Sequence, residues 1–173
     1  MTTYDKTIDS PVGLLTLVAQ ESALVGILWP QDQPTRVRLG ATQTDETHPT
    51  LLDTERQLQE YFAGTRTHFD VPLEFVGTDF QKQVWTALLT IPFGETRSYS
   101  EIAKQIGNEK AVRAVGAAIG RNPISIITPC HRVIGASGDL TGFAGGLNVK
   151  ENLLLREGHQ LKPHSSSARR QLM

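Results

Sequence analysis

Short apolar runs separated by polar breaks fill the first part of this chain of 173 residues. Residues 14–18 and Leu24–Leu28 are two such runs, and the polar residues 20–22 between them predict a β-hairpin. Further along, apolar side chains recur at helical spacing over Pro49–Phe62, and Gly64 follows as a stop signal. We therefore expect this part of the chain to form a small sheet with helices.

The pattern after residue 77 is mostly helical. Thr78 begins a capping box, an apolar stripe of helical period follows it, and Pro92 ends the predicted helix. A second capping box at Ser98 begins a helix predicted over residues 99–106, which Gly107 ends. The repeated combination of cap, stripe and breaker predicts consecutive short helices.

A third helix is predicted over residues 109–119, with Asn108 as its cap. Two short helices joined by a Gly-Asn turn suggest a helix-turn-helix, and small residues on an outer face would let such a helix approach another surface closely. From the pattern alone, the small residues could instead serve packing between helices. The apolar face carries Val112, Val115 and Ile119, and the opposite side carries Lys110, Arg113, Ala114 and Ala117.

The last predicted helix covers residues 147–157, with Gly158 just after its end. Glu157 lies in the final turn, where the helix dipole disfavours an acidic side chain, so a second reason for a carboxylate is expected there. Residues 161–173 are predicted to be a disordered tail. The expected organisation is an N-terminal domain over residues 1–78 and a C-terminal domain over residues 79–160.

The net charge of −1 conceals two oppositely charged halves. Residues 1–79 contain 5 Lys and Arg against 12 Asp and Glu, a net charge of −7, and residues 80–173 contain 12 against 6, a net charge of +6. A basic second domain could face phosphate, although ordinary solvated charge would give the same numbers. No secretion signal and no apolar run approaching ~20 residues is recognised, so a cytoplasmic protein without membrane association is expected.

The only cysteine, Cys130, lies in the stretch with the strongest chemical signal. The apolar residues 124–127 predict a short buried strand that Pro129 ends, so Cys130 is expected at a strand end. His131 and Arg132 follow, and cationic neighbours favour the reactive thiolate over the thiol. The competing interpretation is that Cys130 is a small buried hydrophobic side chain.

The sequence Pro-Cys-His-Arg-Val-Ile at residues 129–134 resembles the active-site signature of the O6-alkylguanine-DNA alkyltransferases. Further elements resemble that family in the same order, and the match covers residues 78–158 closely and the first part only in general pattern. These elements are residues 91–95, 99–103, 113–116, 122–123, 145–147, 150–151 and 153–158. The resemblance implies a ribonuclease-H-like α/β N-terminal domain and a mostly α C-terminal domain with a winged-helix-like helix-turn-helix.

The resemblance also implies the catalytic roles. Cys130 would be the nucleophile and His131 the base, while Glu157 would orient and polarise His131. Because Cys130 and His131 are adjacent in sequence, direct contact between their side chains is not expected, and the family implies a water that relays the proton. Asn122 would tie the DNA-binding helix to the active-site segment through hydrogen bonds.

A DNA-binding surface and a base pocket follow from the same resemblance. Arg113 matches the arginine that fills the gap in the base stack, on a recognition helix that enters the minor groove, and Tyr99 matches the tyrosine that contacts the flipped base. The residues assigned to DNA binding and base flipping are Tyr99, Lys110, Arg113, Ala114 and Arg121. Those assigned to the substrate pocket are Tyr99, Val133, Phe143, Ala144 and Gly145. Many relatives have tyrosine in place of Phe143 and serine in place of Ala144, so any hydroxyl contribution is lost here.

The implied function is repair of O6-alkylguanine in double-stranded DNA by transfer of the alkyl group to Cys130. O4-alkylthymine is left open as a second substrate. The protein would be consumed in one turnover, because no residue can hydrolyse the thioether product. No cofactor and no metal are expected, and a monomer is expected, with cooperative loading on DNA left open.

A non-catalytic damage-recognition module and a cysteine hydrolase are the alternatives, but the former usually has tryptophan in place of the cysteine and the latter would turn over repeatedly. The lone His48 and His68 are expected to be exposed.

Overall fold

The computed structural model describes residues 2–33 and 35–160, so the predicted tail lies outside the described residues. The chain divides into two compact units. The first comprises residues up to Gly77 together with Pro123–Ile127, and the second comprises Thr78–Asn122 and the residues from Thr128 onward. The sequence division at residue 78 had placed Pro123–Ile127 in the second domain, whereas this segment packs within the first unit.

The first unit is built on a four-stranded sheet in the order β3-β2-β1-β4. The strands are β1 (Tyr4–Ile8), β2 (Leu15–Ala19), β3 (Leu24–Leu28) and β4 (Gln43–Thr44). β2 pairs antiparallel with both β1 and β3, and β4 pairs parallel with β1. The predicted hairpin is therefore confirmed as β2 and β3. The sequence pattern missed β1 because most of its side chains are polar and only partly buried.

Helix α1 (Pro49–Phe62) packs against the sheet and has the predicted bounds. Its N-cap is His48, whose Nδ1 accepts a hydrogen bond from the backbone N–H of Thr50 at 3.2 Å. His48 is only 5% exposed, so the expectation that it faces solvent is wrong: the capping bond draws it into the fold. His68 is exposed as expected.

Three helices form the first part of the second unit: α2 (Asp79–Leu88), α3 (Tyr99–Gln105) and α4 (Val112–Gly120). Both predicted capping boxes are present, at Thr78 and Ser98, and each satisfies backbone N–H groups that a helix start leaves without partners. None of the helices within residues 2–33 and 35–160 has the length and apolar character needed to cross a membrane.

Helix α4 begins later than predicted, at Val112 instead of residue 109. Asn108 does not cap it: the backbone N–H of Ala111 donates to the Asn108 carbonyl at 3.0 Å, which closes a separate turn, and Ala111 occupies the N-cap without a side-chain bond. The helix is fixed to α2 by the Trp85 indole, whose Nε1–H donates to the buried Ala118 carbonyl at 2.8 Å.

The predicted strand before Cys130 is wrong. A single bridge joins Ile124 to Ile27 of β3, and the chain then turns repeatedly. Ile126 has a φ of 74°, which a β-branched residue rarely adopts, and the N–H of Ile127 donates to the Ser125 carbonyl two residues back at 2.9 Å. The apolar isoleucines, which are buried, gave this segment the sequence pattern of a strand. In the fold, however, its backbone turns at Ile126 instead of staying extended.

The chain then forms a 3₁₀ turn over Cys130–Arg132 and continues into β6 (Val133–Ile134), which pairs parallel with β5 (Arg97–Ser98). Helix α5 (Leu147–Arg156) closes the unit and packs against the 3₁₀ turn. Gly158 has a φ of 86°, the left-handed conformation expected of a residue just after a helix end. The end of α5 is thereby brought beside the turn that contains the cysteine.

Candidate active site

Cys130 begins the 3₁₀ turn and is 6% exposed. Its backbone N–H donates to the Thr128 carbonyl at 2.7 Å, which tightens the bend around Pro129. Cys130 therefore lies at the start of a tight turn and not at the end of a strand. Its burial fits the interpretation as a small hydrophobic side chain, but the groups around it do not, because several of them are charged.

A buried ionic cluster lies directly beside the cysteine. Nε2 of His131 lies 2.7 Å from Oε2 of Glu157, and both side chains are almost fully buried. Arg132 donates to the same carboxylate from Nε, at 2.7 Å from Oε1, and from Nη2, at 3.1 Å from Oε2. Its Nη1 donates to the Ile91 carbonyl at 2.7 Å. Glu157 is thus held in one orientation by two side chains from the 3₁₀ turn.

Burial and the neighbouring charges together determine the protonation state of His131. Burial would raise the pKa of Glu157, but hydrogen bonds from His131 and Arg132 outweigh that effect and lower the pKa to about 2. Burial lowers the pKa of His131 below its usual value, against the opposing effect of Glu157. A neutral His131 beside a carboxylate carries its proton on Nε2, so Nδ1 bears the free lone pair. Nδ1 is buried and has no hydrogen-bond partner among the residues that the structure describes.

Tertiary contacts explain why Glu157 can occupy a helix end. It is the C-cap of α5, where a negative charge is disfavoured by a few tenths of a kcal/mol or more. The bidentate pair with Arg132 offsets this disadvantage at close range. The sequence analysis expected a further role for a carboxylate at this unfavourable position, and the ionic partners of Glu157 provide it.

Asn122 is completely buried directly after α4 and donates from Nδ2 to the Thr128 carbonyl at 2.9 Å. Thr128 lies two residues before Cys130, so this bond joins the end of α4 to the active-site segment. The hydroxyl of Thr128 is itself buried without a hydrogen-bond partner among residues 2–33 and 35–160.

A second polar chain, formed by Lys150, Thr141 and Tyr99, was missed by the sequence reasoning. Lys150 of α5 is 1% exposed, and its Nζ donates to the Val133 carbonyl at 2.6 Å and to Oγ1 of Thr141 at 3.2 Å. Oγ1 of Thr141 lies 2.5 Å from the hydroxyl of Tyr99. One signal could have found Lys150: its spacing from residues 153, 154 and 157 places it on the inner face of α5.

The electrostatics of this chain also involve Cys130. Burial lowers the pKa of Lys150 to about 8, and attraction to Cys130 partly opposes that effect. Burial raises the pKa of Tyr99, a hydrogen bond with Thr141 lowers it, and Cys130 raises it. The ammonium and the thiolate therefore stabilise each other's charged forms.

The remaining predicted pocket residues follow the turn in the sequence. Val133 directly follows the turn and is fully buried. Phe143 and Ala144 are partly exposed in the loop between β6 and α5, and Gly145 is buried there. The backbone N–H of Gly146 donates to the Phe143 carbonyl at 2.9 Å, which closes the loop. Within residues 2–33 and 35–160 no group of three or more His, Cys, Asp or Glu is placed to hold a metal ion.

The predicted DNA-binding residues divide between α4 and its flanks. Arg113 and Ala114 lie exposed on α4. Lys110, predicted inside the helix, is exposed in the turn before it, and Arg121 is exposed just after it. The ring of Tyr99 packs over Gly116, where a side-chain methyl group would lie 3.8 Å from the ring. The buried face of α4 is apolar. Its exposed face carries two alanines and Arg113, so that face is small and cationic.

Comparison with known proteins covers both units. Residues 3–75 match the family description "6-O-methylguanine DNA methyltransferase, ribonuclease-like domain", and residues 79–159 match its "DNA binding domain". The methylated-DNA–protein-cysteine methyltransferase of Mycobacterium tuberculosis is 54% identical over 149 residues, which cover 86% of this chain and 88% of the relative. The protein of that name from Methanosarcina acetivorans is 49% identical over 155 residues, covering 90% and 98%.

A solved structure is similar along nearly the whole chain. The crystal structure of Mycobacterium tuberculosis OGT in complex with DNA superposes with a TM-score of 0.83 and 52% sequence identity, and the match covers 89% of this chain and 92% of that one.

Proposed function

This chain belongs to the 6-O-methylguanine DNA methyltransferase family, and from that premise we propose that it repairs DNA by transferring the alkyl group of O6-alkylguanine to its own Cys130. The observation that carries the proposal is the buried pair of His131 and Glu157 beside the chain's single cysteine. A non-catalytic recognition module would have no use for this arrangement, and its family counterparts lack the cysteine.

The transfer begins with the thiolate of Cys130. His131 accepts the thiol proton at Nδ1, through a water, while Glu157 and Arg132 hold the imidazole in the tautomer that leaves Nδ1 free. An unassisted thiol with a pKa near ~8.5 is only a few per cent ionised at pH 7, so the relay raises the reactive fraction. The thiolate attacks the alkyl carbon, a carbon–sulfur bond forms, the carbon–O6 bond breaks, and the guanine anion leaves and takes up a proton. The thioether is permanent, and each molecule acts once.

Access to the base requires that the nucleotide leave the stack. We assign this step to α4 and its flanks: Arg113 replaces the extruded base, Ala114 permits close approach to the minor groove, and Lys110 and Arg121 contact phosphates. Their exposure supports the assignment. Tyr99 contacts the flipped base, with its hydroxyl oriented by Thr141.

The pocket for the base is assigned to Val133, Phe143, Ala144 and Gly145, together with Tyr99. The backbone N–H of Ala144 would donate to the base oxygen, a contact that needs no hydroxyl. Asn122 would hold the pocket and α4 in register through its bond to Thr128.

The finer architecture and location belong to the same proposal. The first unit would be ribonuclease-H-like, and the second unit would carry a winged-helix-like helix-turn-helix. We propose a cytoplasmic location because a single reactive thiol survives in a reducing compartment.

The test is a titration with duplex DNA containing O6-methylguanine, followed by intact-mass measurement. We expect product equal to active protein and then a plateau, with one methylene added to the peptide that contains Cys130. Cys130→Ser is expected to abolish transfer and to bind the duplex as the wild type does. Continued linear turnover would instead indicate a hydrolase, and joint loss of transfer and binding would show that Cys130 is structural.

A further inference from the structure

The chain passes through the first unit a second time just before the cysteine. After Asn122 it leaves the second unit for five residues, Pro123–Ile127, and it returns to that unit at Thr128, two residues before Cys130. A hydrogen bond from Nδ2 of Asn122 to the Thr128 carbonyl joins the two ends of this segment at 2.9 Å. Contacts that hold Pro123–Ile127 therefore also constrain the backbone that leads to the nucleophile.

Three contacts hold the start of this segment within the first unit. The backbone N–H of Ile27 donates to the Pro123 carbonyl at 2.9 Å, and a bridge joins Ile27 to Ile124. Trp29, directly after β3, donates from Nε1 to Oγ of Ser125 at 3.0 Å. Trp29 is 4% exposed and Ser125 is 1% exposed, so this bond is shielded from competition by water. It is the last of the three contacts before the chain turns.

The turn that follows Ser125 is strained. The N–H of Ile127 donates to the Ser125 carbonyl at 2.9 Å, and Ile126 between them has a φ of 74°. This is the positive-φ form of the three-residue γ-turn, which is rare, and a β-branched residue is an outlier there. Among the residues that the structure describes, Ile126 is the only one other than glycine with a positive φ. Such strain persists only where the surroundings hold it, and it clusters at functional sites.

The next turn, which ends at the cysteine, is of the relaxed kind. The N–H of Cys130 donates to the Thr128 carbonyl at 2.7 Å, and Pro129 between them has a φ of −81° and a ψ of 64°. These are the angles of the common inverse γ-turn, and the proline ring itself restricts φ. The chain thus reaches Cys130 through two consecutive three-residue turns, and only the first depends on outside contacts to hold it.

We propose that Trp29 is a positioning residue for the alkyl transfer: through Ser125 it holds the strained turn at Ile126 and so fixes the position from which Cys130 attacks. This inference rests on the proposed function. Without the bond from Nε1 to Oγ, Ile126 can relax to a negative φ, which redirects the chain just before the nucleophile. In-line attack tolerates little displacement, because the sulfur must approach the alkyl carbon at a defined distance and angle.

The experiment measures single-turnover alkyl transfer to Cys130 from free O6-benzylguanine and from an O6-methylguanine duplex, at increasing substrate concentration. The variants are Trp29→Phe, which keeps an aromatic ring without the N–H, Ser125→Ala, and the double variant. Each single substitution is expected to lower the maximal rate roughly tenfold on both substrates and to leave the half-saturating duplex concentration unchanged. The double variant should be no slower than the slower single variant, because the two residues act through one bond.

The matched control is Thr54→Val, which removes another buried hydrogen bond of the first unit, from Oγ1 of Thr54 to the Thr50 carbonyl at 2.7 Å. It should lower the Tm by roughly 2–4 °C, as Ser125→Ala does, without changing the rate per folded molecule. Unchanged maximal rates in Trp29→Phe and Ser125→Ala, despite a lowered Tm, would make the bond structural only and overturn the inference. Losses that multiply in the double variant would also overturn it, and so would a loss confined to the duplex.

The part played by the strain is tested by repeating Trp29→Phe in an Ile126→Gly background. Glycine adopts a positive φ without strain, so the tenfold effect of Trp29→Phe should shrink to less than about twofold. A tenfold effect retained in that background would overturn the inference. If Ile126→Gly does not fold, the combination of Trp29→Phe with Ser125→Ala decides alone. Failure of the wild type to gain any alkyl group would overturn the proposed function itself, whatever the variants did.

Discussion

The interiors of the two units differ in chemistry. The first buries hydroxyls, one amide and a capping imidazole, whereas the second buries ionisable side chains of both signs. The buried polar residues of the first unit are Thr3, His48, Thr54, Gln57 and Ser125. Those of the second are Asn122, Thr128, His131, Arg132, Lys150, Glu151 and Glu157. Among the residues that the structure describes, several ionisable side chains are buried in the second unit only, and that unit also contains the thiol.

Stability alone does not explain the buried charges of the second unit. Removing an ion from water costs several kcal/mol even after relaxation, and a buried pair recovers that cost only with good geometry and further hydrogen bonds. Glu157 has such geometry, because three nitrogen atoms from His131 and Arg132 surround it. The buried pair of His131 and Glu157 is the part of this interior that the proposed proton transfer requires.

The largest expected effect comes from neutralising Glu157. Glu157→Gln makes His131 a weaker base, so we expect transfer to slow roughly a hundredfold at pH 7 and the rate to rise only at higher pH. Single-turnover rates between pH 6 and 9 measure this shift. The matched control is Glu151→Gln, which removes a second buried carboxylate of α5 without touching the His131 bond. An unchanged profile in Glu157→Gln would make the pair structural only.

The same variant tests the energetic side of the comparison. The pKa of Glu157 is about 2 in the fold and 4.5 ordinarily, so its ionised form contributes about 3 kcal/mol to the free energy of unfolding above pH 4.5. That contribution is lost as the pH falls from 4.5 toward 2. His131 acts in the same direction, since its lowered pKa means that acid must force a charge into the interior. At pH 3 the group is still partly ionised in the fold, so we expect the stability difference between wild type and Glu157→Gln to be about 2 kcal/mol smaller there than at pH 7, as measured by urea unfolding.

The next effect separates base flipping from chemistry. If Arg113 replaces the extruded base, Arg113→Ala should slow repair of duplex DNA roughly ten- to hundredfold, because ~1–3 kcal/mol of support for the flipped state is lost. Free O6-benzylguanine needs no flipping, so its reaction with Cys130 should be nearly unchanged. Equal losses on both substrates would show that α4 supports the pocket, and the assignment of Arg113 would then be wrong.

Local signals were sufficient for most of the helices and for the nucleophile. The capping boxes at Thr78 and Ser98 each involve residues within a stretch of four, so they can be predicted from the local sequence. The pattern around Cys130 likewise depends on neighbours in the chain. The pairing of His131 with Glu157, 26 residues away, came from the family resemblance and not from spacing.

What the sequence could not supply depends on tertiary context. The bend at Ile126 contradicts its own β propensity, because packing in the first unit decides its conformation. Asn108 carries a capping signal but only closes a turn. Thr141 and Lys150 are 9 residues apart, and Thr141 and Tyr99 are 42 residues apart. No local sequence pattern therefore predicts the hydrogen bonds that join these three residues.

The smallest expected effect concerns the surface charges, which also differ between the units. Lys110 is an exposed cation just before α4, so Lys110→Ala should weaken binding to DNA of any sequence and flatten the log–log salt dependence by about one unit or less. The matched control is Arg56→Ala on α1, an exposed cation that pairs with Asp53 and Glu60 in the acidic first unit. Its salt slope should equal that of the wild type, because its charge is already engaged by carboxylates. Fluorescence anisotropy of a labelled duplex at several salt concentrations measures both slopes. If the two variants flatten the slope equally, phosphate contact would not be confined to the surface around α4, and the contrast between an acidic supporting unit and a basic DNA-facing unit would fail.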